Sequence, residues 1–81
     1  MRTPSAYSQA VSAEVRERLE ARNVTVIELS RRTRIPRSTL YAKLGGRFAF
    51  NLDELYAVAQ VLKIEPWDLL WYPLEQATSA T

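Results

Sequence analysis

The chain has 81 residues, 47% hydrophobic and 25% charged, with a formal net charge of +2. That length makes one domain, near the lower size at which a core folds without staples. With no Cys and no His there is no disulfide framework, and the usual zinc ligands and the commonest general base are missing, so no cofactor, metal site or enzymatic activity is expected.

The opening "MRTPSAYSQA" lacks an apolar h-region, and no apolar run approaches membrane-spanning length. A cytoplasmic protein that does not meet the membrane is the expectation. Over about residues 5–22, Tyr7, Val11, Val15 and Leu19 recur every fourth position. They form one stripe of an amphipathic helix whose wet side carries Glu14, Glu17, Arg18 and Glu20, with Asn23 as the stop. "TVIEL" opens a second helix, with Thr25 as N-cap, Glu28 at the capping-box position, and Val26, Leu29, Ser30 and Thr33 on its inner face. Pro36 ends that helix by Ile35 and starts a third, "RSTLYAKL", which stops at Gly45-Gly46.

"RFAFN" reads as a loop that turns Phe48 and Phe50 inward, and Asn51 with Glu54 caps a fourth helix striped by Leu55, Val58, Ala59 and Leu62. "IEPWDLLWYP" supplies a short fifth helix, with Pro66 in its first turn and Pro73 as its stop. Tyr7 and Tyr56 read as core or half-buried, and Trp67 as a cap on the core. Trp71, Tyr72 and Leu74 form an apolar end and a candidate dimer interface. The expectation is an all-α, compact five-helix domain over residues 1–74, with residues 75–81 as a disordered tail and Arg2 weighed as a minor-groove arm.

Charge is unevenly spread along this order. Residues 1–30 hold four Arg and four Glu, and residues 48–81 hold one Lys against five acids. Residues 31–47 hold Arg31, Arg32, Arg34, Arg37, Lys43 and Arg47 and no acid. Such a dipolar chain points to a polyanionic partner.

"TVIELSRRTRIPRSTLYAKLGG" followed by "LDELYAVAQVLKIEPWDLL" resembles the lambda repressor/Cro family of helix-turn-helix DNA-binding domains. Thr25, Glu28, Leu29 and Ser30 match the family's first helix of the motif, Leu40 the buried aliphatic of the recognition helix, and Gly46 the glycine after it. Two positions depart. Arg34 stands where the family's turn usually has Gly, so either it takes a left-handed conformation or the turn differs. Lys43 stands where the family prefers an apolar residue.

The resemblance implies a helix-turn-helix unit at about residues 25–44 that lays its second helix in the DNA major groove. Leu40 and Leu44 define the buried side of that helix. Arg37, Ser38, Thr39, Tyr41 and Ala42 are the candidates for base readout: Arg37 for guanine, Ser38 for most bases, Ala42 for a thymine methyl. Thr25 and Val26 at the capped start of the motif, with Lys43 and Arg47, are the candidates for phosphate. Arg31, Arg32 and Arg34 read as steering charges.

The function implied is a sequence-specific regulator of double-stranded DNA, most like a small phage or prophage Cro or repressor in a bacterial cell. It binds a pseudo-palindromic operator as a homodimer, with no small-molecule ligand and with regulation through its own concentration. The alternatives are the antitoxin of a toxin–antitoxin pair with the same domain, and a helical protein-interaction adaptor that has lost DNA binding.

Overall fold

A computed structural model describes residues 3–79 of the chain; Arg2 and residues 80–81 lie outside the described residues. Five α-helices follow in order: α1 (Ala6–Ala21), α2 (Val26–Thr33), α3 (Arg37–Leu44), α4 (Leu52–Leu62) and α5 (Asp68–Ser79). No strand occurs among the described residues.

Local chemistry sets the helix starts. The Ser5 hydroxyl accepts from the Ser8 amide at 3.1 Å, and that of Thr25 accepts from the Glu28 amide at 3.1 Å. Asn51 and Glu54 form a complete capping box at the start of α4. α3 has no side-chain cap: Pro36 precedes it with φ −56°, already set for a helix start. The turn between α2 and α3 is tied by two hydroxyls. Ser30 donates to the Ile35 carbonyl at 2.6 Å, and the Thr33 Oγ1 accepts from the Ile35 amide at 3.3 Å. Arg34 adopts the left-handed conformation, φ 66° and ψ 15°, with its amide on the Ser30 carbonyl at 2.8 Å. The turn keeps the shape a glycine would give it.

The expected stripes meet in one core. Val15 and Leu19 of α1, Leu29 of α2, Leu40 and Leu44 of α3, and Leu55, Val58, Ala59 and Leu62 of α4 are all buried. α1 packs on α5 and α3, and α2 packs on α3 and α4. Burying each aliphatic side chain contributes about 1.5–3 kcal/mol, so this shared core is what holds two eight-residue helices that would not persist alone. Tyr7 fastens α1 to the last helix by donating to the Leu70 carbonyl at 2.7 Å.

Four expectations are corrected. α5 does not stop at Pro73 but runs through it to Ser79. Pro73 is buried, and packing its ring inward offsets the bond it cannot donate to the carbonyl four residues back. The stretch expected as tail therefore begins as helix. Trp67 is not a core cap: it is 66% exposed, because Leu69 and Pro73 take the inward side of α5. Tyr56 is likewise exposed, one residue past the buried Leu55 on α4. Only Phe50 of the loop phenylalanines packs against the core, while Phe48 is exposed with the Arg47 guanidinium 6.0 Å from its ring centre.

Candidate nucleic-acid interface

α3 divides cleanly into a buried and an open side. Leu40 and Leu44 fix the helix on the core, which leaves Arg37 and Ser38 exposed at its start and Tyr41 exposed at its middle. Thr39 and Ala42 are half-buried at the edges of that face. Eight residues span about 12 Å, slim enough for a major groove. The face is small in its side chains apart from Tyr41 and Arg37, so a base edge can approach closely.

Two neighbouring segments flank it. The start of α2 lies beside the end of α3: Thr25, Val26, Tyr41 and Gly45 line one apolar groove together with Leu19 and Val24. Thr25 is exposed there, and its side chain accepts from the Glu28 amide, which leaves the Val26 and Ile27 amides as helix-start donors of the kind that suits phosphate. Just past the end of α3, Arg47 is exposed in the loop that leads to α4, its amide on the Ala42 carbonyl at 3.0 Å.

Lys43 sits apart from that set. Its ammonium donates to both oxygens of Glu54, at 2.5 and 2.6 Å, and both side chains are largely shielded. The basic segment is therefore one charge weaker than its residue count. Glu54 and Arg16 were not singled out as site residues by the sequence. Arg16 crosses from α1 to donate to the Leu44 carbonyl at the end of α3. Glu54 reads from sequence as a cap alone, and no local signal announces a partner eleven residues away. Arg31, Arg32 and Arg34 are exposed at the far end of α2, and Arg32 and Arg34 share a shallow groove with Gln60 and Val61 of α4.

At the other end of the molecule, Trp71, Tyr72 and Leu74 are each about half exposed, at 52%, 49% and 46%. Trp67 stands 6.4 Å from Trp71 between ring centres, and the Arg18 guanidinium lies 5.4 Å from the Tyr72 ring. Among the described residues no cluster of carboxylates could hold a metal ion, and no helix is long and apolar enough to cross a membrane.

A family model described as the Cro/C1-type HTH DNA-binding domain matches residues 14–75, from the middle of α1 into α5. No curated protein and no solved structure gives a match.

Proposed function

Because the chain belongs to the Cro/C1-type helix-turn-helix DNA-binding family, whose partner is double-stranded DNA and which is non-enzymatic in general, we propose that it is a sequence-specific transcriptional regulator that binds a pseudo-palindromic operator as a homodimer. The observation that carries this reading is the open face of α3. Arg37, Ser38 and Tyr41 are exposed on it, and the end of α3 lies beside the α2 start. Base edges meet Arg37, Ser38, Thr39, Tyr41 and Ala42. Phosphates meet the Thr25–Val26 amides and Arg47. The protein acts in the bacterial cytoplasm, in the manner of a small phage or prophage Cro or repressor.

Selection from a pool of random duplexes tests this. The expected product is a pair of inverted half-sites whose centres lie about one helical turn, ~34 Å, apart. Enrichment of no sequence removes the regulator reading, and enrichment of single half-sites removes the dimer. The exposed aromatics of α5 favour one second reading, an antitoxin that adds a toxin-binding surface to the same domain. A protein partner of fixed stoichiometry that co-purifies and caps this surface distinguishes it.

A further inference from the structure

One carboxylate of α4 serves two elements. Glu54 Oε1 accepts from the Asn51 amide at 2.8 Å, and the Glu54 amide donates to Asn51 Oδ1 at 2.8 Å, which starts α4. The same carboxylate holds the Lys43 ammonium from the last turn of α3. With side-chain exposures of 16% for Lys43 and 14% for Glu54, the pair is well screened from water. It also bridges the loop between α3 and α4, the loop that carries Arg47. Arg16 holds the same end of α3 to α1 through the Leu44 carbonyl. The C-terminal end of the helix is thus fastened from two elements by charged side chains, and its Arg37 end follows a turn tied by the Ser30 and Thr33 hydroxyls.

We propose that Glu54 is a specificity-determining positioning residue: without touching DNA, it sets the seating of α3 and the Arg47 loop through Lys43, and it withholds the Lys43 ammonium from phosphate. This rests on the DNA-recognition reading above. A free cation beside the interface raises affinity for every duplex alike, because phosphate is present in all of them. Sequence preference depends instead on holding base-reading side chains within narrow limits of distance and angle. Pairing Lys43 with Glu54 therefore acts on the two quantities separately. Withholding one indiscriminate charge lowers the affinity for every duplex and its salt dependence, while stiffening the helix that reads raises the preference.

The test compares the full chain, its Glu54→Gln variant and the Lys43→Met/Glu54→Gln double variant. Each is titrated against the duplex selected by the unaltered protein and against random duplex, at several salt concentrations, with the helical circular dichroism signal checked. Gln keeps a carbonyl for the Asn51 amide and loses the charge. Glu54→Gln is expected to lower the ratio of selected to random affinity about tenfold, the size of one weakened bidentate base contact. It is also expected to steepen the salt dependence by about one unit per subunit as Lys43 becomes available to phosphate. The double variant, which has no freed ammonium, is expected to return to the original salt slope while its ratio stays low. A cap-only role predicts otherwise: both affinities unchanged, or both lowered equally with the slope intact, and either result overturns the proposal. If Glu54→Gln loses its helical signal, Lys43→Met alone decides: it leaves the Asn51–Glu54 cap in place and removes only the pair, and an unaltered ratio there overturns the proposal as well. Failure of the unaltered protein to select any duplex brings down the DNA-recognition reading itself, which the variants cannot do.

Discussion

Arg37 and Arg47 carry the same charge and are both exposed, yet their settings assign them different work. Arg37 opens α3 on its outward face, and Arg47 lies in the loop beyond, against the Phe48 ring. Loss of a bidentate contact to guanine costs about 1–3 kcal/mol and relaxes one position per half-site. Loss of a phosphate contact weakens all sequences alike and flattens the salt dependence by about one unit per subunit. Arg37→Ala is therefore expected to lower the ratio of operator to random-duplex affinity, and Arg47→Ala to lower both affinities and keep the ratio. Titrations at several salt concentrations read both, and an unchanged ratio in Arg37→Ala means that the register of α3 on DNA is different. Inside the core, Ser12 is fully buried and its hydroxyl finds no partner among the described residues. An unsatisfied buried hydroxyl costs about 1–3 kcal/mol, so Ser12→Ala should raise stability by about 1 kcal/mol in denaturant unfolding; a lower midpoint would show that the hydroxyl is satisfied in solution. Helical period alone sets Arg37 nearer the buried side, and its exposure was legible only from its place at the helix start, where a long side chain can swing forward. The Lys43–Glu54 pair was not legible, because each residue obeys a local rule that says nothing of the other.

The helices agree in how they end. Four of them stop on or beside a left-handed residue: Asn23 (φ 56°) after α1, Arg34 (φ 66°) after α2, Gly46 (φ 82°) after α3 and Lys63 (φ 58°) after α4. The bonds follow the same pattern after α1, α3 and α4. The residue beyond the left-handed position reaches back to the last turn, as Val24 to Leu19, Arg47 to Ala42 and Ile64 to Ala59, at 2.9–3.0 Å. Composition announces such a stop when it is Asn or Gly, so Asn23 and the Gly45-Gly46 pair were legible. It leaves the choice open at Arg34 and gives no sign at Lys63, where side-chain type argues against the backbone found. Pro73 misleads in the opposite direction, since its burial is decided by α5 docking on the core and not by its neighbours in sequence. An L residue in this region costs roughly 1–2 kcal/mol, of which glycine's greater freedom in the unfolded chain returns about 0.5–1. Lys63→Gly is exposed and remote from α3, and it is expected to gain about 0.5–1 kcal/mol, a rise of a few degrees in melting temperature for a domain of this size. Gly46→Ala should lose a similar amount although its Cβ meets nothing closer than 3.8 Å, which isolates the backbone term. Equal melting temperatures for Lys63→Gly and the unaltered chain would mean the left-handed stop is not held in solution.

For the whole molecule, the inward stripes were enough to place the core, since every buried aliphatic of α4 falls on the period read from sequence. What the period hides is that α5 is apolar on two sides. Leu69 and Pro73 take the core, and Trp67, Trp71 and Leu74, spaced by four and three, form a second stripe facing out. A two-fold dimer would use such a stripe, since each copy presents the same patch to the other. Dimension allows it. A two-fold axis separates equivalent points by twice their distance from it, and a protomer of 38 × 30 × 20 Å has room for α3 to stand at half of the ~34 Å between successive major-groove faces of DNA. Trp71 lies at the middle of the stripe and is half exposed, so in such a dimer its removal would take more from the partner than from the monomer's own core. Trp71→Ala is expected to weaken self-association in sedimentation equilibrium by about tenfold or more, the scale of a truncated aromatic at an interface centre, and to leave the helical circular dichroism signal and melting temperature of the dilute monomer nearly unchanged. On DNA the same variant should lose the preference for paired over single half-sites while keeping the preferred half-site sequence, because α3 is untouched. A variant that melts early instead, with self-association unchanged, would place Trp71 in the service of the monomer and move the dimer contact off α5.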